Sequence, residues 1–129
     1  YEGKMQAAVD ALTKEDYDFV YVHVEAPDEM GHQGSVERKV QAIEYLDEKI
    51  IRYVKEAMDK SGEDYRMLIL PDHPTPIEVR THTSDPVPYL LYDSTDAKEC
   101  IWEYSEKCAK EGGIYHPQGH TLIDYFFSK

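Results

Sequence analysis

The sequence predicts an α/β fold, a mostly parallel sheet sandwiched by helices and present here as part of a domain. Three observations carry that expectation. Helical and strand-like patterns alternate along the 129 residues. The run Tyr17-Asp18-Phe19-Val20-Tyr21-Val22-His23-Val24 is aromatic, β-branched and almost continuously apolar, as a strand covered on both faces of a parallel sheet would be. The strand–helix–strand order over residues 17–70 matches a right-handed crossover.

The elements follow in order. Residues 4–13 read as a helix with Met5, Ala8, Val9 and Leu12 on one face. After the first strand, residues 25–34 hold two glycines and a proline, which predicts a loop with a special backbone path. Ser35 is placed to cap a long helix over about residues 36–60, with Glu37 in its first turn. Val36, Val40, Ile43, Leu46, Ile50, Val54 and Ala57 recur every three or four residues and predict one buried stripe. Glu44, Asp47 and Glu48 form a solvated face of the same helix. Ser61-Gly62 ends it.

Residues 66–70 form the second predicted strand, stopped by Pro71. A polar, proline-rich loop runs from Asp72 to Pro86. Residues 87–92 read as a third strand, with Pro88 at an edge or a strand start. A helix over about residues 96–110, a turn at Gly112-Gly113 and a short helix from Gln118 to Phe127 complete the chain.

Length and charge narrow the function. The chain is long enough for one domain with a hydrophobic core and too short for two ordinary ones. Its opening residues are neither a signal peptide nor a native start, so it reads as a piece of something longer. No apolar run approaches the roughly 18 residues of a membrane span. A formal charge of −12 argues against nucleic acid and anionic membrane surfaces as partners. An anionic substrate would need bound metal, or cations from elsewhere, to offset that charge. Cys100 and Cys108, eight apart in a predicted helix, would lie about 12 Å apart, too far for a disulfide. Reduced thiols favour a cytoplasmic setting.

The chemistry collects at strand ends. In open α/β sheets ligands bind beyond the carboxyl ends of the strands. The first strand leads into Asp28 and His32, the second into Asp72-His73, and the same loop later presents His82. A single Asp-x-x-x-His match is mostly chance, but three carboxylate and imidazole clusters on one sheet edge are hard to explain by packing. Asp28 and His32, four apart, face one point if the loop makes a helical turn. Asp72 and His73 leave a strand as neighbours, so their side chains should diverge and serve two adjacent cations. This predicts a two-metal site, with His82 completing the set of Asp28 and His32. Mixed carboxylate and imidazole ligands favour manganese or zinc, with magnesium as an alternative. Paired ions stabilise both oxygens of a phosphoryl transfer.

Other polar residues have plainer readings. His23 is expected as a hydrogen-bonded core histidine, His116 and His120 as residues flanking a helix start, and Ser35 as a cap. Arg80 is a candidate for a bidentate contact to a substrate phosphate or carboxylate.

Three segments carry a resemblance. Val22-His23-Val24-Glu25-Ala26-Pro27-Asp28-Glu29-Met30-Gly31-His32, Leu70-Pro71-Asp72-His73-Pro74-Thr75-Pro76 and Arg80-Thr81-His82-Thr83-Ser84-Asp85-Pro86-Val87-Pro88 resemble signatures of the archaeal-type 2,3-bisphosphoglycerate-independent phosphoglycerate mutases, of the alkaline phosphatase superfamily. The likeness is continuous over about residues 17–92, and Gly119-His120 through Phe127 resembles the family's closing helix. It implies an alkaline phosphatase-like fold, with Asp28, His32 and His82 holding one divalent ion and Asp72 and His73 the second. It further implies interconversion of 3-phosphoglycerate and 2-phosphoglycerate, a small phosphorylated substrate of glycolysis. The family's nucleophilic serine, a further aspartate and the substrate-binding insert precede this region, so the N-terminal half of the polypeptide would be the missing partner. Without that nucleophile the segment alone has no route for covalent phosphoryl transfer. A homoserine kinase-like relative with the same metals, and a non-catalytic module stabilised by metal, are the competing readings; the absence of cysteine ligands counts against the latter.

Overall fold

The computed structural model describes residues 2–96, 104–112 and 114–128. The chain divides into two units, Tyr1–Glu63 with Thr75–Thr83, and Asp64–Pro74 with Ser84–Lys129.

The first unit is helical. Helix α1 (Glu2–Thr13) buries Met5, Ala8 and Val9, the face that the three- and four-residue spacing foretold. Residues 17–25, which follow, belong to no helix or sheet among the described residues. This corrects the expectation of a doubly covered strand: Tyr17, Phe19 and Tyr21 are exposed, while Val20, Val22 and Val24 are half-buried. A strand needs a neighbour for its backbone groups, and these residues have no ladder to join. His23 is likewise exposed rather than core, and its carbonyl accepts from Lys4 Nζ at 3.0 Å.

Helix α2 (Ala26–Gln33) occupies the predicted loop. Pro27 lies in its first turn, where a missing N–H costs nothing, and Asp28 and Glu29 complement the positive end of the helix dipole. Gly34, at φ 70°, closes it, with Ser35 N donating to Met30 O at 3.3 Å. Ser35 Oγ then accepts from Arg38 N at 3.3 Å and starts the long helix, as predicted.

That helix runs as α3 (Val36–Tyr45), a π-helical stretch (Leu46–Ile51) and α4 (Arg52–Ser61), and ends at Gly62, φ 75°. Its apolar stripe is not buried end to end. Ile50 and Met58 are buried, Leu46, Val54 and Ala57 half-buried, and Val36, Val40 and Ile43 exposed. A π turn is wider than an α turn and rotates the residues beyond it relative to those before. Helix α1 packs against the π stretch and α4, α2 against α3. The Tyr53 hydroxyl, donating to Gln6 Oε1, ties α4 to α1.

The second unit holds the sheet. Strands β1 (Arg66–Ile69) and β2 (Leu90–Asp93) pair antiparallel, Arg66 opposite Asp93 and Ile69 opposite Leu90. The parallel sheet expected from the sequence is thus not what the described residues form. Residues 70–89 connect the strands without a helix, and a parallel pair needs a crossover to bring the chain back to the same end. Arg66 Nε donates to Asp93 Oδ2 at 3.0 Å across the ladder, and Arg66 Nη1 to Phe126 O at 3.1 Å on α6 (Leu122–Ser128). Helix α5 (Glu106–Gly112) starts where Ser105 Oγ accepts from Cys108 N. Residues 97–103 of the predicted helix over 96–110, Cys100 among them, lie outside the described residues, while residues 106–110 are helical as expected; Cys108 is a free thiol. His116 contacts Thr121 Oγ1 at 2.7 Å before α6, consistent with a helix-start role. No helix among the described residues is long and apolar enough to cross a membrane.

Candidate metal centre

Helix α2 sets Asp28 and His32 one turn apart on one face, so the helical turn that their spacing required is present. His32 Nε2 lies 3.3 Å from Asp28 Oδ2. The third member arrives from 50 residues away: His82 Nε2 is 3.2 Å from His32 Nε2 and 3.2 Å from Asp28 Oδ1. All three belong to the first unit. Their side chains are 37%, 41% and 50% exposed for Asp28, His32 and His82, which leaves a path from solvent and room for further ligands.

The donor set fits a divalent cation. Each residue offers one ligand atom, and those atoms all lie within 4.8 Å of one another. Donors about 2.0–2.1 Å from a tetrahedral ion sit about 3.3 Å apart, close to the spacings found here. The histidine tautomer is also set. His32 Nδ1 is 2.9 Å from the carbonyl of Arg80. A carbonyl only accepts, so Nδ1 carries the hydrogen, and in the neutral ring Nε2 presents its lone pair toward His82 and Asp28.

That contact gives Arg80 a part the sequence did not suggest. Arg80 adopts φ 59°, a left-handed conformation that costs an ordinary residue about 1–2 kcal/mol. The turn is held by its N–H, which donates to Pro76 O at 2.8 Å, and it brings the carbonyl onto His32. The guanidinium lies over Gly34, where any Cβ would run into it. The substrate contact expected of Arg80 concerns this side chain, whereas the contact to His32 is made by its backbone.

A second supporting residue is Thr75, buried at 6% exposure. Its hydroxyl donates to Asp28 Oδ1 at 2.7 Å, and its carbonyl accepts from Lys39 Nζ at 2.6 Å. Gly31 allows this approach: a Cβ there would sit 2.6 Å from the Thr75 carbonyl oxygen and 2.9 Å from its Cγ2. The sequence signal was faint, a threonine between two prolines one residue-pair past Asp72-His73.

Asp72 and His73 belong to the second unit and are paired with each other. His73 Nε2 lies 3.2 Å from Asp72 Oδ2, and His73 N donates to Asp72 Oδ1 at 3.0 Å. Their side chains converge, against the divergence expected from strand alternation. Strand β1 ends at Ile69, so the pleat that would separate neighbours has stopped before Asp72.

A family profile described as the metalloenzyme superfamily matches residues 1–127. The chain belongs to the metalloenzyme superfamily. Membership implies divalent metal ions, and the Asp28, His32, His82 triad supplies donors for one. Among similar superfamily members, a protein of Methanothrix thermoacetophila is 46% identical over 123 residues, covering 95% of this chain. One of Methanosarcina mazei is 47% identical over 125 residues and 95% of the chain. Both are named 2,3-bisphosphoglycerate-independent phosphoglycerate mutase, and each is covered to 31% of its own length. A Geobacter sulfurreducens protein, named as a probable mutase of that kind, is 41% identical over 130 residues, covering all of this chain and 32% of its own length. This superfamily chain thus spans about a third of the curated relatives it matches. A solved structure of a Pyrococcus horikoshii protein aligns with 99% of the chain and 38% of its own, at a TM-score of 0.81 and 31% identity.

Proposed function

We propose that this chain is the metal-binding part of a cofactor-independent phosphoglycerate mutase, which interconverts 3-phosphoglycerate and 2-phosphoglycerate in the cytoplasm. The convergence of Asp28, His32 and His82 on one point carries the reading, and the names of relatives 46% and 47% identical supply the reaction. Asp28, His32 and His82 hold one divalent ion, manganese or zinc by their chemistry, and Asp72 and His73 take part in holding a second. Bound ions would neutralise charge on a transferring phosphoryl group. This matters in a chain of net charge −12, which otherwise repels a phosphorylated acid.

The residues here bind, orient and admit; the nucleophile lies elsewhere. A serine outside this chain accepts the phosphoryl group from one hydroxyl of phosphoglycerate and returns it to the other. The exposed Tyr17, Phe19 and Tyr21 form a surface that the remaining two thirds of such a protein would cover. Arg80, beside the triad, is the cation available for the substrate's carboxylate or phosphate.

The intact polypeptide tests this directly. Coupled assays should show turnover of 3-phosphoglycerate with manganese and none after chelation, and metal analysis should count two ions. Turnover of homoserine with ATP in place of phosphoglycerate would overturn the substrate. One tightly held ion, needed for folding and without turnover, would make the chain a structural module.

A further inference from the structure

We infer that Thr75 is a positioning residue for the metal triad, its hydroxyl fixing the rotation of the Asp28 carboxylate so that one oxygen faces each imidazole. The inference rests on the metal reading of Asp28, His32 and His82. It starts from a geometric fact: Oδ2 of Asp28 faces His32 Nε2 at 3.3 Å while Oδ1 faces His82 Nε2 at 3.2 Å. An aspartate side chain turns about its terminal torsion within a broad well, so this orientation needs something to hold it. Thr75 Oγ1 donates to Oδ1 at 2.7 Å, a short bond of the charge-assisted kind.

The donor is itself immobilised. Thr75 is buried, its carbonyl is gripped by Lys39 Nζ at 2.6 Å, and its methyl and carbonyl lie against Gly31 where no Cβ intervenes. Asp28 and Gly31 share α2, and Lys39 stands on α3, which packs against α2. The hydroxyl is therefore fixed relative to the helix that carries two of the three ligands. Its neutrality also matters. A hydroxyl orients the carboxylate without cancelling the charge a cation needs, whereas a lysine placed there would compete with the ion. The positive charge of Lys39 is instead spent one residue layer back, on the Thr75 carbonyl.

Manganese titration of the intact polypeptide, followed by the electron paramagnetic resonance of the free ion, separates the possibilities. Thr75→Val keeps the branched shape and removes the hydroxyl; one ion should bind about 10–100-fold more weakly, the usual effect of losing a partner behind a metal ligand. Thr75→Ser keeps the hydroxyl and drops the methyl, and should bind close to wild type. The thermal midpoints of the metal-free variants should not track affinity. Should valine fail to fold, Thr75→Ala against Thr75→Ser isolates the same hydroxyl. Wild-type affinity in Thr75→Val, or equal weakening in the serine variant, overturns the role of Thr75 while an Asp28→Ala control that loses the ion leaves the metal reading standing. Unchanged binding in Asp28→Ala itself would remove the metal reading, and this inference with it.

Discussion

Two of the carboxylate–imidazole clusters among the described residues are assembled in opposite ways. Asp72 and His73 are adjacent in sequence and answer each other, with the carboxylate bonded to its neighbour's backbone and ring. Asp28, His32 and His82 come from a helix and a loop 50 residues away, and two of them have a partner behind them: Thr75 for the carboxylate, the Arg80 carbonyl for the His32 ring. Bonds between adjacent residues of this kind can form in any extended chain. A triad closed over 50 residues exists only once the fold has met the entropy of bringing its segments together, so its geometry is preset before any ligand arrives. Preset donors bind without reorganising, which is why the triad, and not the pair, has the marks of a primary site.

The largest effect should therefore come from breaking the triad. Asp28→Ala is expected to weaken one ion by more than about 100-fold, since partners behind a ligand are already worth about 10–100-fold. Asp72→Ala should leave that ion within about threefold of wild type, as for sites that act independently, and weaken only the other. Calorimetric titration of both variants checks this. Equal loss of both ions in either variant would abolish the distinction.

Gly31→Ala probes the same contrast through packing. The added Cβ would press on the Thr75 backbone at 2.6 Å, which flexible side chains cannot relieve. A cost of about 1–3 kcal/mol in stability follows from overpacking. A weakening of the triad's ion by about tenfold should accompany it, equivalent to about 1.4 kcal/mol. Urea unfolding beside metal titration reads both. Affinity that survives the stability loss would show that α2 can shift without disturbing Asp28. Arg80→Gly should do the reverse. It keeps the carbonyl that holds His32 and suits φ 59°, so stability should change by less than about 1 kcal/mol, the strain relieved roughly offsetting the entropy glycine adds to the unfolded chain. Metal affinity should hold, and a rise in KM alone would assign the guanidinium to substrate.

What the sequence made legible was local. Ser35 as a cap, Gly62 as a stop and Asp28 with His32 on one helical face depend on residues within one turn of each other, and all three are as read. The failures depend on what the chain cannot announce by itself. Residues 17–24 have a strand's composition, but a strand is made by its neighbour, and none pairs with them among the described residues. Met58 is buried beside Ala57, which the stripe named and which is half-buried; four residues beyond Val54, it lies on the same face of α4. His82, read from the sequence as the third member beside Asp28 and His32, does lie with them, two residues beyond the turn that puts Arg80 in the left-handed region, and that turn had no sequence signal. Thr75 lies within a signature segment but was given no role there; the missing Cβ of Gly31 shows why it can reach Asp28.

The smallest expected effect belongs to Asp93, a carboxylate held as Asp72 is, mainly by its near neighbours. Its pKa is lowered below the ordinary 3.8, first by the side-chain hydrogen bond from Thr95 and then by the Thr95 backbone, with Arg66 adding to both and partial burial opposing them. A carboxyl whose folded pKa is depressed binds protons less readily than in the unfolded chain. Its contribution to stability is therefore fully present above the ordinary carboxylate range and is lost as pH falls through the lower folded value. Thermal melts of wild type and Asp93→Asn from pH 6 downward should converge in acid and differ most near neutrality. Thr95→Ala removes the hydroxyl's bond to Asp93 Oδ1 and keeps the backbone N–H bond to the same oxygen, so it should reproduce part of that change. If Arg66→Met does so instead and Thr95→Ala does not, the cross-strand ion pair governs this carboxylate, and the rule that adjacent residues close their own clusters fails where a cross-strand partner competes with a neighbour.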